Sequence, residues 1–342
     1  MNLVTGATGI LGSHVLLELL RNGQPVVACK QNGSDLARVE KLFSYYVPNH
    51  SELFSRIKWV EVDVRDIFSI EDALEGITTV YHCAGLVSFD KRDRQKLTEI
   101  NELGTANVVN ACLGKKTAAL CHVSSIGAIN NSDYILPLHE DVFWKKSGRE
   151  SHYAISKYNG EREVWRGMEE GLNAVIVNPG VILSPGFRNQ SSSRIVDTCY
   201  RGNKYYTSGS TGYVAAADVA RIMVALITER KYKNRYIVVE GNYRFREVFS
   251  RIQTQFKNPV PHIHVPRAAL FVLGFFESIV SFFRGKPPRI NNAIINAAFN
   301  QQVFSNKKVS ETLDYSFVSI DQTIAQICKA YLFEISSGPS SS

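Results

Sequence analysis

Metal-ligand spacing is missing from this chain. None of its six cysteines (Cys29, Cys83, Cys112, Cys121, Cys199, Cys328) stands in C-x-x-C spacing with another, and no Cys/His cluster has ligand spacing, so no metal is expected. Several of these cysteines sit in apolar runs and read as buried free thiols, which suits a reducing, cytoplasmic location. No basic run is dense enough to argue for nucleic acid. The net charge of +7, from 39 basic against 32 acidic residues, reads as a solvated basic surface that also suits an anionic cofactor. No signal peptide is expected ahead of the first strand, because a glycine motif already begins at residue 5. Formal glycosylation triplets such as Asn189-Gln190-Ser191 therefore carry no weight. No apolar run reaches the ~20 residues that span a bilayer. The nearest approach is Ala268 to Phe283, AALFVLGFFESIVSFF, which contains Glu277 and is flanked by Arg267, Arg284 and Lys286. A buried or pocket-covering helix is expected there in preference to a monotopic membrane contact. There is no internal repeat.

What is present is a regular alternation of short apolar runs with helical patterns. Strands are expected at Asn2–Val4, Pro25–Cys29, Trp59–Val64, Thr78–Cys83, Ala118–Val123 and Asn173–Val177. Helices are expected at Gly9–Asn22, from Leu36 with a cap at Ser34 or Asp35, from Ile70, at Leu97–Cys112 and at Ser151–Gly171. Such alternation predicts an α/β fold with a Rossmann-type, doubly wound parallel sheet. Beyond residue 180 the pattern loosens, with loops at Ser184-Pro185-Gly186, Ser191-Ser192-Ser193 and Ser208-Gly209-Ser210 and a further strand at Tyr236–Glu240. The expected organisation is a dinucleotide-binding domain over 1–180, a smaller, partly interleaved substrate lobe over 181–335, and a disordered Ser/Gly/Pro tail over 336–342.

Three groups of residues carry chemistry. Thr5-Gly6-Ala7-Thr8-Gly9-Ile10-Leu11-Gly12 lies immediately after the first strand and opens a helix. Gly6 can take a conformation closed to other residues, Gly9 admits a pyrophosphate to the main chain, and Gly12 lets helix and sheet approach. With Thr8 and Ile10 beside Gly9, the helix N-terminus faces the phosphates. Tyr153 and Lys157 are spaced i, i+4 and share a helix face. An ammonium near a phenol lowers its pKa towards working pH, so the tyrosine can give or take a proton. Without its companions the pair would read as a surface Tyr/Lys pair. Ser124-Ser125 ends the fifth strand, where a hydroxyl can hold a carbonyl or alcohol oxygen.

The glycine spacing is G-x-x-G-x-x-G. With VDVRD, YHCAG, NELGTANVVNAC, HVSSIGA, YAISK and NPGVILSPG in order, the chain resembles the extended short-chain dehydrogenase/reductase superfamily over roughly residues 2 to 330. That group includes nucleotide-sugar epimerases and dehydratases, dihydroflavonol reductases and 3β-hydroxysteroid dehydrogenases. The resemblance implies a catalytic Ser125, Tyr153 and Lys157, with Lys157 also holding the nicotinamide ribose. It implies that Asp63 and Val64 lie against the adenine. It places Cys83, Ala84 and Gly85 beside the cofactor, Asn101 on the following helix in contact or support, and Asn178 and Pro179 at the nicotinamide-side loop. It also implies a homodimer through helices such as the one carrying Tyr153.

The second strand ends in Lys30 and Gln31, without the acidic residue that selects NAD or the arginine of NADP-selecting members. Lys30 can neutralise a 2′-phosphate, so NADP(H) is favoured, with NAD(H) second. Two small-molecule chemistries compete. One is hydride transfer to a carbonyl or alcohol, as in dihydroflavonol reductases; the other is nucleoside-diphosphate-sugar epimerisation or dehydration. The Thr211–Asp218 stretch lacks the arginine and histidine common in the sugar-nucleotide branch, which favours the reductase reading, though Arg188, Arg194 or Arg201 could substitute and Asn178-Pro179 pulls the other way. The apolar stretch from Leu270 could line an apolar substrate pocket. A third reading, a non-catalytic cofactor-binding regulator, sits poorly with the presence of both Tyr153 and Lys157.

Overall fold

The computed structural model describes residues 1–129, 136–148, 150–187, 193–284 and 291–336. Arg188, the triplet at 189–191, Ser192 and the tail from residue 337 lie outside the described residues. Strands run in the order β1 (Asn2–Thr5), β2 (Val26–Lys30), β3 (Lys58–Glu61), β4 (Thr79–His82), β5 (Ala119–Val123), β6 (Ala174–Pro179), β7 (Val181–Leu183), β8 (Tyr205–Tyr206), β9 (Ser210–Ala215), β10 (Asn234–Val238), β11 (Gly241–Arg244) and β12 (Ile263–His264).

The central sheet has seven strands in the order β10-β6-β5-β4-β1-β2-β3, and every pairing in it is parallel. This is a doubly wound sheet whose order reverses between β1 and β4, where such sheets bind ligands at the carboxyl ends of their strands. The strands are short, apolar runs because both faces are covered by helices. One face packs Leu16, Val39 and Met223 against Val4 and Ala28, the other Val109, Cys112 and Val164 against Leu3 and Leu120. β10 comes from the later half of the chain and closes one edge of this sheet beside β6. A smaller sheet, β11-β9-β7, carries its own apolar cluster around Tyr213, Val248 and Ile324.

Local signals explain most boundaries. Gly9 caps helix Ile10–Arg21, Asp35 accepts from Arg38 N to start Leu36–Ser44, and Ser151 accepts from Ala154 N to start His152–Glu169. Two expectations need correction. The third strand stops at Glu61 rather than Val64, because the Ser69 hydroxyl and the Asp63 carboxylate build a turn over residues 63–69. The apolar stretch from Ala268 forms helix Arg267–Arg284, but the expected burial fails at Phe271, Val272, Leu273 and Phe275, which are 42%, 55%, 53% and 65% exposed. Among the described residues no helix is long and apolar enough to cross a membrane. All six cysteines are free thiols, five of them buried and Cys83 half-buried.

Candidate active site

The glycine turn is shaped by contacts that exclude side chains. Gly6 has φ +62°, and a Cβ there would lie 2.6 Å from the Ala84 nitrogen. A Cβ on Gly12 would lie 2.2 Å from the Gly6 oxygen, so helix Ile10–Arg21 sits against the turn at backbone distance. Gly9 is exposed, donates to Gly6 O, and caps the helix with no side-chain oxygen. The first amides of a twelve-residue helix thus face outward at the switch point, flanked by half-buried Thr8 and Ile10, as a dinucleotide pyrophosphate requires. The residues present fit such a cofactor.

Helix His152–Glu169 lies beside β5 and carries the Tyr/Lys pair. Ser125, in extended conformation after β5, accepts from Gly127 N at 3.0 Å. Its own proton is therefore not spent in that contact, and the hydroxyl lies near enough to Tyr153 to act on the phenol. Burial pushes the Tyr153 phenol above its ordinary value and the Ser125 hydrogen bond draws it partly back. The Phe89 ring stands edge-on to Tyr153 at 5.9 Å. Lys157 is buried, its Nζ donating to Val123 O at 2.6 Å. Burial brings its pKa down to about 8, with Cys83 and Glu161 opposing the fall. A Cβ on Gly85 would stand 3.5 Å from that Nζ and 3.2 Å from Asn101 Oδ1, so the end of β4, Lys157 and Asn101 meet.

Asn101 is a strut between these parts. Its Oδ1 accepts from Leu86 N, and its Nδ2 donates to Leu86 O and Ser156 Oγ. Both amide protons are spent inside the protein, tying the loop after β4 to the Tyr153 helix. The Asp63 carboxylate is likewise engaged by the Arg65 amide and guanidinium, which hold its pKa low, while Val64 is buried against Gly104. Lys30 is half-buried at the end of β2. Asn178 is fully buried, its Nδ2 donating to Ser125 O and to Glu161 Oε2, with Pro179 closing β6.

Two supporting features were not anticipated from the sequence. Glu161 is buried one turn beyond Lys157 and accepts from Ser124 Oγ, Asn178 Nδ2, Trp165 Nε1 and Arg235 Nη1. Arg235 on β10 also donates to Glu140 O and Val142 O. The i, i+4 step from Lys157 to Glu161 was visible, but its partner lies 74 positions away and no spacing announces it. The second feature is a layer of buried polar groups under the strand ends, where Thr5, His82 and His122 align in register across β1, β4 and β5. Thr105 gives its proton to Asn101 O, so His82 Nε2 carries a proton and donates to Thr105. His82 Nδ1 then accepts from Thr5, whose oxygen accepts from Ala84 N. Burial and the Lys157 charge draw His82 down to about 3 and push His122 well below its ordinary value. Both rings are therefore neutral. Among the described residues no group of three or more His, Cys, Asp or Glu is placed to hold a metal ion. Apart from this centre, a cavity of about 260 Å³ is lined by Tyr206, Thr207, Ser208, Arg244, Arg246 and Gln301, with the Arg246 guanidinium 4.5 Å above the Tyr206 ring.

Comparison with known proteins places this geometry. The model of the NAD dependent epimerase/dehydratase family matches residues 2–239. The chain is similar to sterol demethylase protein B of Methylococcus capsulatus, 28% identical over 84% of this chain and 85% of the relative. It is similar to tetraketide alpha-pyrone reductase 2 of Arabidopsis thaliana, 28% identical over 75% of this chain and 83% of the relative. Among solved structures, a nucleoside-diphosphate-sugar epimerase from Pseudomonas aeruginosa shares the fold, with TM-score 0.75, 20% identity and 98% of each chain covered.

Proposed function

The chain belongs to the NAD-dependent epimerase/dehydratase family and is an NAD(P)-dependent oxidoreductase-type enzyme, and from that premise we propose that it moves hydride between the nicotinamide and a carbonyl or alcohol substrate, with Tyr153 as acid/base. The observation that carries this reading is the gathering of the Ser125 hydroxyl, held by Gly127 N–H and acting on the nearby Tyr153 phenol, with buried Lys157 one helical turn on. The cofactor, when bound, supplies or accepts the hydride. Gly6, Thr8, Gly9, Ile10 and Gly12 hold its phosphates, Lys30, Asp63 and Val64 its adenosine end, and Cys83, Ala84 and Gly85 the nicotinamide side, while Asn178 and Pro179, expected there, are buried and act beneath it by fixing Ser125 O and the end of β6. Ser125 and Tyr153 hold the reacting oxygen, and Tyr153 gives it a proton on reduction or takes one on oxidation. Buried Lys157 keeps its ammonium at Val123 O and the end of β4 at neutral pH, where it is to hold the nicotinamide ribose. The expected lowering of the phenol is not met in the cofactor-free fold, where burial raises Tyr153 and Ser125 alone draws it back. Similarity to a named reductase supports a carbonyl substrate, and the substrate is proposed to be held by residues 181–335. The free thiols suit a cytoplasmic location.

Lys30 at the end of β2 supports NADP(H) over NAD(H). Lys30→Ala should raise KM for NADPH more than KM for NADH in steady-state kinetics; equal changes count against the preference. A second reading, a nucleoside-diphosphate-sugar substrate, is favoured by one observation: Arg244 and Arg246 line the 260 Å³ cavity with Tyr206, a lining suited to phosphate. A thermal-shift titration with NADPH, NADH and UDP-sugars, singly and in pairs, separates the two, because a ligand that prefers the folded state raises the midpoint by mass action. Stabilisation by NADPH with no added shift from any UDP-sugar supports the reductase reading. A clear added shift from a UDP-sugar overturns it.

A further inference from the structure

The chain's excess charge and its exposed apolar surface fall in the same segment. Residues 257–310 hold seven Lys/Arg against one acid, Glu277, and so carry six of the seven net positive charges; the rest of the chain is nearly balanced. Within this segment lies helix Arg267–Arg284, an eighteen-residue helix with Phe271, Val272, Leu273 and Phe275 turned outward and Gly274 buried on the protein side. Phe271 and Phe275 are one turn apart, and Val272 and Leu273 widen the apolar face around the helix. Exposed Val260 and Ile263 precede it. Exposed Arg267 opens the helix, its guanidinium 5.7 Å from the Phe271 ring and bonded to Asn296 Oδ1. A contiguous apolar face of this kind on a soluble surface marks an interaction site. A neutral protein partner would account for the apolar face but not for the basic residues that flank it in sequence.

We propose that this helix docks the enzyme on an anionic lipid bilayer, lying in the plane of the interface with Phe271, Val272, Leu273 and Phe275 among the acyl chains and the basic residues that flank it in sequence supplying the attraction to acidic headgroups. The segment meets both requirements of an interfacial helix, an apolar face of aromatic and aliphatic side chains in the fold and basic residues flanking the helix in sequence, Arg267 before it and Arg284, Lys286 and Arg289 at and after its end. The helix is too short and too polar to span, so the contact is peripheral and salt-sensitive. The proposal does not rest on the redox assignment, since none of these side chains belongs to the centre around Tyr153.

The test is flotation of the full-length protein with phosphatidylcholine vesicles, with and without phosphatidylglycerol, at low and high salt. It compares wild type with the double variant Val272→Glu/Leu273→Glu, whose sites are exposed and whose fold is checked by circular dichroism and cofactor-induced thermal shift. Expected is flotation of wild type with the anionic vesicles, weaker flotation with neutral ones or at high salt, and a loss of about tenfold or more in the variant. Absence of flotation, or equal flotation of wild type and variant, overturns the proposal. Concentration-dependent self-association in sedimentation velocity, abolished in the variant and without flotation, overturns it in favour of a second copy of the chain.

Discussion

The centre around β1, β4, β5 and helix His152–Glu169 buries polar groups and satisfies nearly all of them; helix Arg267–Arg284 does the reverse, leaving apolar groups in water. In the first region Asn101, Glu161, Thr5, Thr105 and His82 are all buried and hydrogen-bonded. The exceptions there are informative. Among the described residues both ring nitrogens of His122 and the Asn178 Oδ1 lack a hydrogen-bond partner. In the second region four large apolar side chains are between two-fifths and two-thirds exposed. Buried polar groups are kept at a cost in stability when they fix positions, and exposed apolar ones when something covers them. The contrast separates a region built to hold atoms still from one built to meet a surface.

The strongest way to break that contrast is at Arg235. Its guanidinium pairs with buried Glu161 at 2.9 Å and holds two carbonyls. Arg235→Met should cost about 3–5 kcal/mol in urea unfolding, because it leaves a buried carboxylate unpaired. A cost near that of an ordinary surface change would show that the network is dispensable. Lys157 sharpens the comparison through pH. Its pKa is about 8 in the cofactor-free fold against 10.5 unfolded, so between those values the unfolded chain binds more protons and stability rises with pH. Relative to Lys157→Met, wild type should gain about 3 kcal/mol on going from pH 8 to 10.5, read from denaturation midpoints across that range. A flat difference would place the ammonium in contact with water. The smallest effect belongs to the outer helix: Val272→Ser should change stability by less than about 0.5 kcal/mol, and a larger loss would mean that this face is packed.

The first region was also the more legible one. Short apolar runs, a glycine turn and capping residues act locally, so the strands, the helix starts at Asp35 and Ser151 and the meeting of Ser125 with Tyr153 could be read from neighbours in sequence. The Glu161–Arg235 pair and the Thr5–His82–Thr105 chain could not, because they join residues 23 to 77 positions apart in the histidine chain and 74 in the ion pair, brought together only by sheet order. Asn101 shows the intermediate case: its place on the helix after β4 was legible, but its role as a strut depends on Leu86 and Ser156. The Arg267–Arg284 helix reads as apolar and as buried or pocket-covering, and burial fails at Phe271, Val272, Leu273 and Phe275, since hydropathy reports what a side chain prefers and not whether a partner is supplied.

Tyr153→Phe tests the central claim most directly, with NADPH binding measured by fluorescence or thermal shift and turnover measured on the same preparation. Loss of the phenolic proton at a site otherwise unchanged should leave cofactor affinity within about twofold and lower kcat by roughly 10²–10⁴-fold, the range for removal of a general acid. Full turnover with intact cofactor binding would contradict the assignment of Tyr153 as the group that moves the proton.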